Sequence, residues 1–182
     1  MSVILQSSSG GQITIQEPAT ASNFTQTLPA ATGDVMVSGN MPAFSALPNS
    51  NQSFTSSTWT KVAFNSEEFD TNNNYDATTN YRFTPTVAGY YQINAVVSIS
   101  GTVMTQFICA IYKNNAEYKR GNQLSYATGV SNSSCLISSV VYLNGSTDYV
   151  EIYGFGVGTS PSFIGGASSV NCSFNGSMVR TA

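Results

Sequence analysis

A chain of 182 residues with 41% apolar content holds one domain and an appendage, and can bury a sizeable core. Charged residues make up only 8%, against about 25% in an ordinary soluble domain, so Ser, Thr, Asn, Gln and Gly must cover the surface. The net charge is −3 and the six cations, Lys61, Arg82, Lys113, Lys119, Arg120 and Arg180, form no basic stripe; this excludes nucleic acid as a partner, and no apolar run approaches the ~20 residues of a membrane-spanning helix.

Residues 1–40 carry short apolar-polar alternations at Val3 to Leu5, Ile13 to Ile15, Phe24 to Leu28 and Val35 to Val37, divided by Gly10-Gly11, Pro18, Pro29 and Gly33-Asp34. Strands this short are marginal alone, so Ile13, Ile15 and Leu28 are expected to need a partner surface and to act as anchoring positions. Met1 to Gln6 lacks the basic and apolar regions of a secretory signal, so export by that route is not expected if the chain is complete. Gly39-Asn40-Met41-Pro42 is the expected boundary, giving an anchoring segment at 1–40 and a head at 41–182.

In the head, an Asn- and Ser-rich stretch from Pro48 to Ser57 precedes an expected strand from Trp59 to Phe64. The next thirty residues are the centre of the reading. Phe64, Phe69, Tyr75, Tyr81 and Phe83 are spaced too irregularly for a helix face and are separated by turn-forming Asn, Asp and Thr, which predicts short strands around an aromatic core. Pro85 and Gly89 then punctuate the chain before a period-two strand that places Tyr91, Ile93, Ala95, Val97 and Ile99 on one face. Further strands are expected at Val103 to Tyr112, Ser134 to Leu143, Asp148 to Tyr153 and Val170 to Val179. Loops are expected at Lys113 to Glu117, Asn144 to Ser146 and Gly158 to Gly166.

The pattern Phe64, Asp70, Tyr75, Phe83, Gly89, Tyr91, Ile93 resembles the motif of the globular head of complement component C-one-q, whose family shares a trimeric jelly roll with tumour necrosis factor. Pro42 to Ala46, Ala110 to Asn115 and Phe174 to Val179, with Gly176, follow in that family's order. The pattern departs from the family's at three places: one extra residue between Tyr75 and Phe83, Ile93 in place of an aromatic, and Asn115 in place of Gly. The resemblance implies an all-β, antiparallel jelly-roll sandwich that assembles as a homotrimer. Its core motif would be Phe64, Tyr75, Phe83, Gly89, Tyr91, Phe174 and Gly176. The run from Gly11 to Gly33 resembles a segment of bacteriophage tail-fibre and related virion proteins, which implies a short β-rich segment that joins the head to other virion proteins.

The chemistry-bearing residues are sparse. No His is present, which removes His-based acid–base catalysis, Ser-His-Asp hydrolysis and His-ligated metal sites. Carboxylate pairs of the glycosidase kind are available only from Glu67, Glu68 and Asp70 or from Asp148 and Glu151, without an aromatic setting in the sequence. Glu67, Glu68, Asp70 and Asp76 are the densest acidic cluster. They are calcium candidates by virtue of their oxygen ligands, with a solvated, aggregation-resistant edge as the competing account. No other cofactor is expected. Cys109, Cys135 and Cys172 cannot all pair in one chain and read as buried free thiols, in keeping with maturation in a reducing cytoplasm.

The functional expectation is a non-enzymatic phage virion structural protein, assembled in the cytoplasm of a bacterial host: a trimeric fibre or spike tip that contacts a glycan or protein on the host surface. A capsid decoration or cement protein and a secreted ligand-binding module are the alternatives. Tyr126 and Phe163 are expected as loop aromatics, at a receptor contact or a subunit interface.

Overall fold

A computed structural model of the chain describes residues 2–16, 25, 37, 39, 41–166 and 171–182. The chain divides into two compact units, residues 1–33 and 34–182. In the first unit, β1 (Ser2–Gln6) and β2 (Gln12–Gln16) form an antiparallel hairpin with Leu5 opposite Ile13 and Ile4 opposite Thr14. The turn is closed by the Ser7 N–H donating to the Gly11 carbonyl at 2.7 Å, with Gly10 at φ 86°. Leu28 and most of the alternations at 24–28 and 35–37 lie outside the described residues.

The second unit begins with β3 (Ala43–Leu47), β4 (Gln52–Ser53), β5 (Thr60–Lys61), β6 (Ser66–Asp70), β7 (Tyr75–Asp76) and β8 (Arg82–Phe83). Four longer strands follow: β9 (Gly89–Lys113), β10 (Ala116–Leu143), β11 (Val150–Phe163) and β12 (Ser173–Thr181). No helix long and apolar enough to cross a membrane occurs among the described residues. β9 and β10 pair along most of their length as one antiparallel ribbon, and that ribbon serves two layers. Residues 89–96 also pair with β12, which carries β3 and then β6, whereas the stretch from 99 to 113 pairs with β11, which carries β4, β5 and β8. The ribbon bends near Val103, which has φ 52°, an uncommon value for a β-branched residue, and its register slips between Ser125 and Asn132.

This is the antiparallel jelly-roll sandwich. The core lies between its layers: Phe44 of the first stacks on Phe83 of the second at 4.3 Å, and Tyr91 meets Phe83 edge-on at 5.4 Å. Tyr91, Ile93, Ala95, Val97 and Ile99 are all buried, as the alternation predicts. The cysteines are free and buried; the neighbouring Cys135 thiol and then burial hold the Cys109 thiol far above its ordinary range. At the β9–β10 turn Asn114 and Asn115 have φ 51° and 68°, the paired left-handed values of a tight hairpin that Asn tolerates, which accounts for Asn115 where the family pattern has Gly.

Several local expectations are corrected. Residues 158–163 are strand rather than loop, because Phe163 reaches back into the core and stacks on Phe54 at 4.3 Å. Phe163 is therefore fully buried, and Tyr126 sits half-buried, edge-on to Phe107 at 5.9 Å. Neither is an exposed loop aromatic. Phe69, read as a core aromatic, is 52% exposed on β6. The strand expected over Trp59 to Phe64 shrinks to Thr60–Lys61. β10 begins eighteen residues before Ser134, at Ala116, because its polar first half pairs with β9 through the backbone rather than by burying a face.

Candidate functional site

The motif residues build the scaffold. Phe64, Phe83 and Phe174 are fully buried and Tyr75 nearly so. Phe44 stacks on Tyr75 at 5.0 Å and meets Phe174 edge-on at 4.8 Å, so the aromatic positions of β3, β7, β8 and β12 form one cluster across both layers. The two motif glycines sit where strands approach too closely for a side chain. A Cβ at Gly89 would lie 2.5 Å from the Arg180 carbonyl oxygen, and one at Gly176 would lie 2.7 Å from Ile93 Cδ1 and 3.0 Å from the Gln92 oxygen.

The four acidic candidates are not brought together. Among the described residues no group of three or more His, Cys, Asp or Glu stands close enough to hold a metal ion. Asp70 accepts the backbone N–H groups of Asn72 and Tyr75 at 3.2 and 2.6 Å. Asp76 accepts those of Thr78, Thr79 and Asn80, together with the Asn80 side chain. These N–H donors, the Thr79 backbone foremost, hold the Asp76 carboxyl well below the usual carboxylate range against the opposing effect of partial burial. Glu68 accepts the Ser45 hydroxyl at 2.6 Å, and Glu67 is exposed. Of the other carboxylates, Asp148 pairs with Lys113 at 2.8 Å and Glu151 with Lys61.

The surface that stands out is the outer face of the first layer. The segments 90–100, 132–142 and 173–179 contain no charged residue. Across their middle runs a polar ladder: Gln92 Nε2 donates to Ser138 Oγ at 2.9 Å, Ser138 Oγ donates to Asn94 Oδ1 at 2.9 Å, and Asn94 Nδ2 donates to Asn175 Oδ1 at 3.1 Å. Flanking the ladder, Leu136 is 56% exposed and Val140, Tyr142 and Tyr90 between 41% and 49%, with the Tyr90 and Tyr142 rings 5.5 Å apart. A depression of about 410 Å³ lies beside Leu136, against Asn94 and Asn175. This face was not singled out from the sequence, although a signal exists: residues 135–143 are apolar on both parities, Cys135, Ile137, Val141 and Leu143 inward and Leu136, Val140 and Tyr142 outward. In the first unit Ile4, Leu5, Ile13 and Ile15 are each more than half exposed.

No family model and no curated protein matches this chain. Solved structures do. The globular domain of a zebrafish complement 1qA protein is similar with a TM-score of 0.57 at 19% identity, over 78% of this chain and 99% of that one. The Eiger TNF of S. frugiperda is similar with a TM-score of 0.59 at 10% identity, over 79% and 95%. Murine APRIL is similar with a TM-score of 0.57 at 13% identity, over 76% and 99%. At these identities the likeness is one of fold: the chain has the jelly roll of the C-one-q and tumour necrosis factor heads.

Proposed function

We propose that this protein is a non-enzymatic virion module, a homotrimer of jelly-roll heads that forms a phage fibre or spike tip and contacts the host surface. Residues 1–40 join it to the particle. The observation that carries the assembly is the centre of the first layer's outer face, where Leu136 and Val140 stand in water around a satisfied, uncharged polar ladder, with the Tyr90 and Tyr142 rings beside them under Arg180 and Lys113. A monomer gains nothing from that arrangement, whereas a second copy removes the uncharged apolar centre from solvent. The resemblance to the C-one-q and tumour necrosis factor heads supports three as the number of copies, and the tail-fibre-like run at 11–33 supports the particle as the setting.

Sedimentation or light scattering of the full chain tests the assembly. A trimer is expected at micromolar concentration, and the double variant Leu136→Glu, Val140→Glu is expected to be a folded monomer. A wild-type monomer overturns the assembly. Copy number in purified particles tests the setting: a few trimers fit a tail tip, and hundreds overturn it in favour of capsid decoration.

A further inference from the structure

The outer face of the second layer has the opposite chemistry to the first. Lys61, Arg82 and Arg120, three of the chain's six cations, meet there among aromatic rings. Along β11, Glu151 and Tyr153 alternate with the core residues Val150 and Ile152, and the strand register sets Arg82 and Tyr112 opposite Glu151 and Lys61 opposite Tyr153. The Tyr112 and Tyr153 rings stack at 3.9 Å, and Trp59 lies 5.4 Å from Phe155 and 6.2 Å from Tyr112. None of these rings is fully buried.

Within this aromatic surround Glu151 is held in an unusual state. Its side chain is 2% exposed, its Oε1 takes the Lys61 ammonium, and its Oε2 has no donor among the described residues. A buried carboxylate oxygen without a donor is costly, and such a group in a native structure calls for a functional or structural reason. Lys61, which holds Oε1, is 30% exposed on a flexible four-carbon stem, and its ammonium is shared with the Asn80 carbonyl at 3.3 Å.

The chemistry of the face selects its ligand. Glu151 and Glu117, which accepts from the Arg120 guanidinium at 2.9 Å, oppose an anion, and the three cations oppose another cation. A purely apolar ligand leaves Glu151 Oε2 as it is. A neutral polyol with an apolar face satisfies every group: its C–H surface packs on aromatic rings, one hydroxyl donates to Glu151 Oε2, and another accepts from Lys61 Nζ. We propose that the face formed by Trp59, Lys61, Tyr112, Glu151 and Tyr153 is a binding site for a neutral pyranose unit of a surface glycan. This rests on the host-contact reading and names the class of receptor.

Trp59 is the chain's single tryptophan, so its fluorescence reports on the site directly. The full chain is titrated with glucose, galactose, maltose and lactose, with glucuronate and glucosamine as charged controls. A saturable change in Trp59 emission with at least one neutral sugar is expected, weakened at least about tenfold in Glu151→Gln and in Lys61→Met, each checked for folding by circular dichroism. No saturable change with any neutral sugar, or the same affinity in both variants, overturns the proposal, as does a preference for the charged sugars. Binding of labelled protein to host cells separates the two readings. Binding that survives periodate oxidation of the cell surface and the Glu151→Gln change overturns the saccharide site and leaves host contact standing. Absence of cell binding alongside a positive sugar titration overturns host contact and leaves the site.

Discussion

The phenol of Tyr75 donates a 2.9 Å hydrogen bond to the carbonyl of Phe64, tying β7 to the chain that enters β6 inside the aromatic cluster. Burial, with Glu67 and Asp76 adding to it, drives the Tyr75 phenol far above its ordinary range, so it remains a donor at every working pH. Tyr75→Phe keeps the ring and its stack on Phe44 but strands a buried carbonyl. The expected cost is about 1–2 kcal/mol, read as a lower midpoint in urea with an unchanged slope. A midpoint equal to wild type would show that the carbonyl finds another donor.

Tyr91 carries more. It is fully buried, meets Phe83 edge-on, and donates to the Val87 carbonyl at 2.6 Å. Truncation to Ala is expected to cost about 3–5 kcal/mol and to leave much of the protein insoluble, whereas Tyr91→Phe, which loses only the hydrogen bond, is expected to cost about 1 kcal/mol. Equal melting temperatures for wild type and Tyr91→Ala would refute the placement of this side chain between the layers.

What the sequence made legible follows from the range of the interactions involved. The inward row Tyr91 to Ile99 repeats every second residue, so its burial is written locally. The polar half of β10 is not, because its strand character comes from backbone pairing with β9 around a distant bend. Phe163 looked like a loop aromatic because Gly158, Ser160 and Pro161 surround it, yet its partner Phe54 lies over a hundred residues earlier. The carboxylates near Asp70 and Asp76 were visible as a cluster, but the donors that occupy two of them are backbone N–H groups that no spacing rule displays. Trp59, Lys61, Tyr112 and Glu151 are scattered over some ninety residues and meet only through strand register.

Asp76 makes stability pH-dependent with a definite sign. Its folded-state pKa is depressed, chiefly by the Thr79 backbone N–H with help from Thr78 and Asn80, so folding favours the ionised form. Its contribution is fully present above the unfolded value of about 3.9 and is lost as the pH falls from there toward the folded value. The Asp76→Asn protein should therefore melt below wild type at neutral pH, with a gap that narrows in acid. The gap should stay modest, because the group is only partly shielded from solvent. Melting curves of the two proteins between about pH 7 and pH 2 check this, and a gap that widens in acid would reverse the assignment.

The last expectation separates anchor from head. The β1–β2 hairpin leaves Ile4, Leu5, Ile13 and Ile15 in water, and a two-stranded ribbon of this length is marginal by itself, so its apolar positions call for a partner outside the hairpin. Among the described residues, by contrast, the buried core cluster runs from Phe44 to Met178. Removing residues 1–40 is therefore expected to leave the melting transition of the head nearly unchanged while abolishing incorporation into particles. If the head is the adhesive part, as proposed, the truncated protein should still compete with intact virus for host cells. Normal incorporation would show that the leader is not the anchor. Failure both to incorporate and to compete would favour decoration of the shell over adhesion, since a head that never meets the host has only the particle to hold.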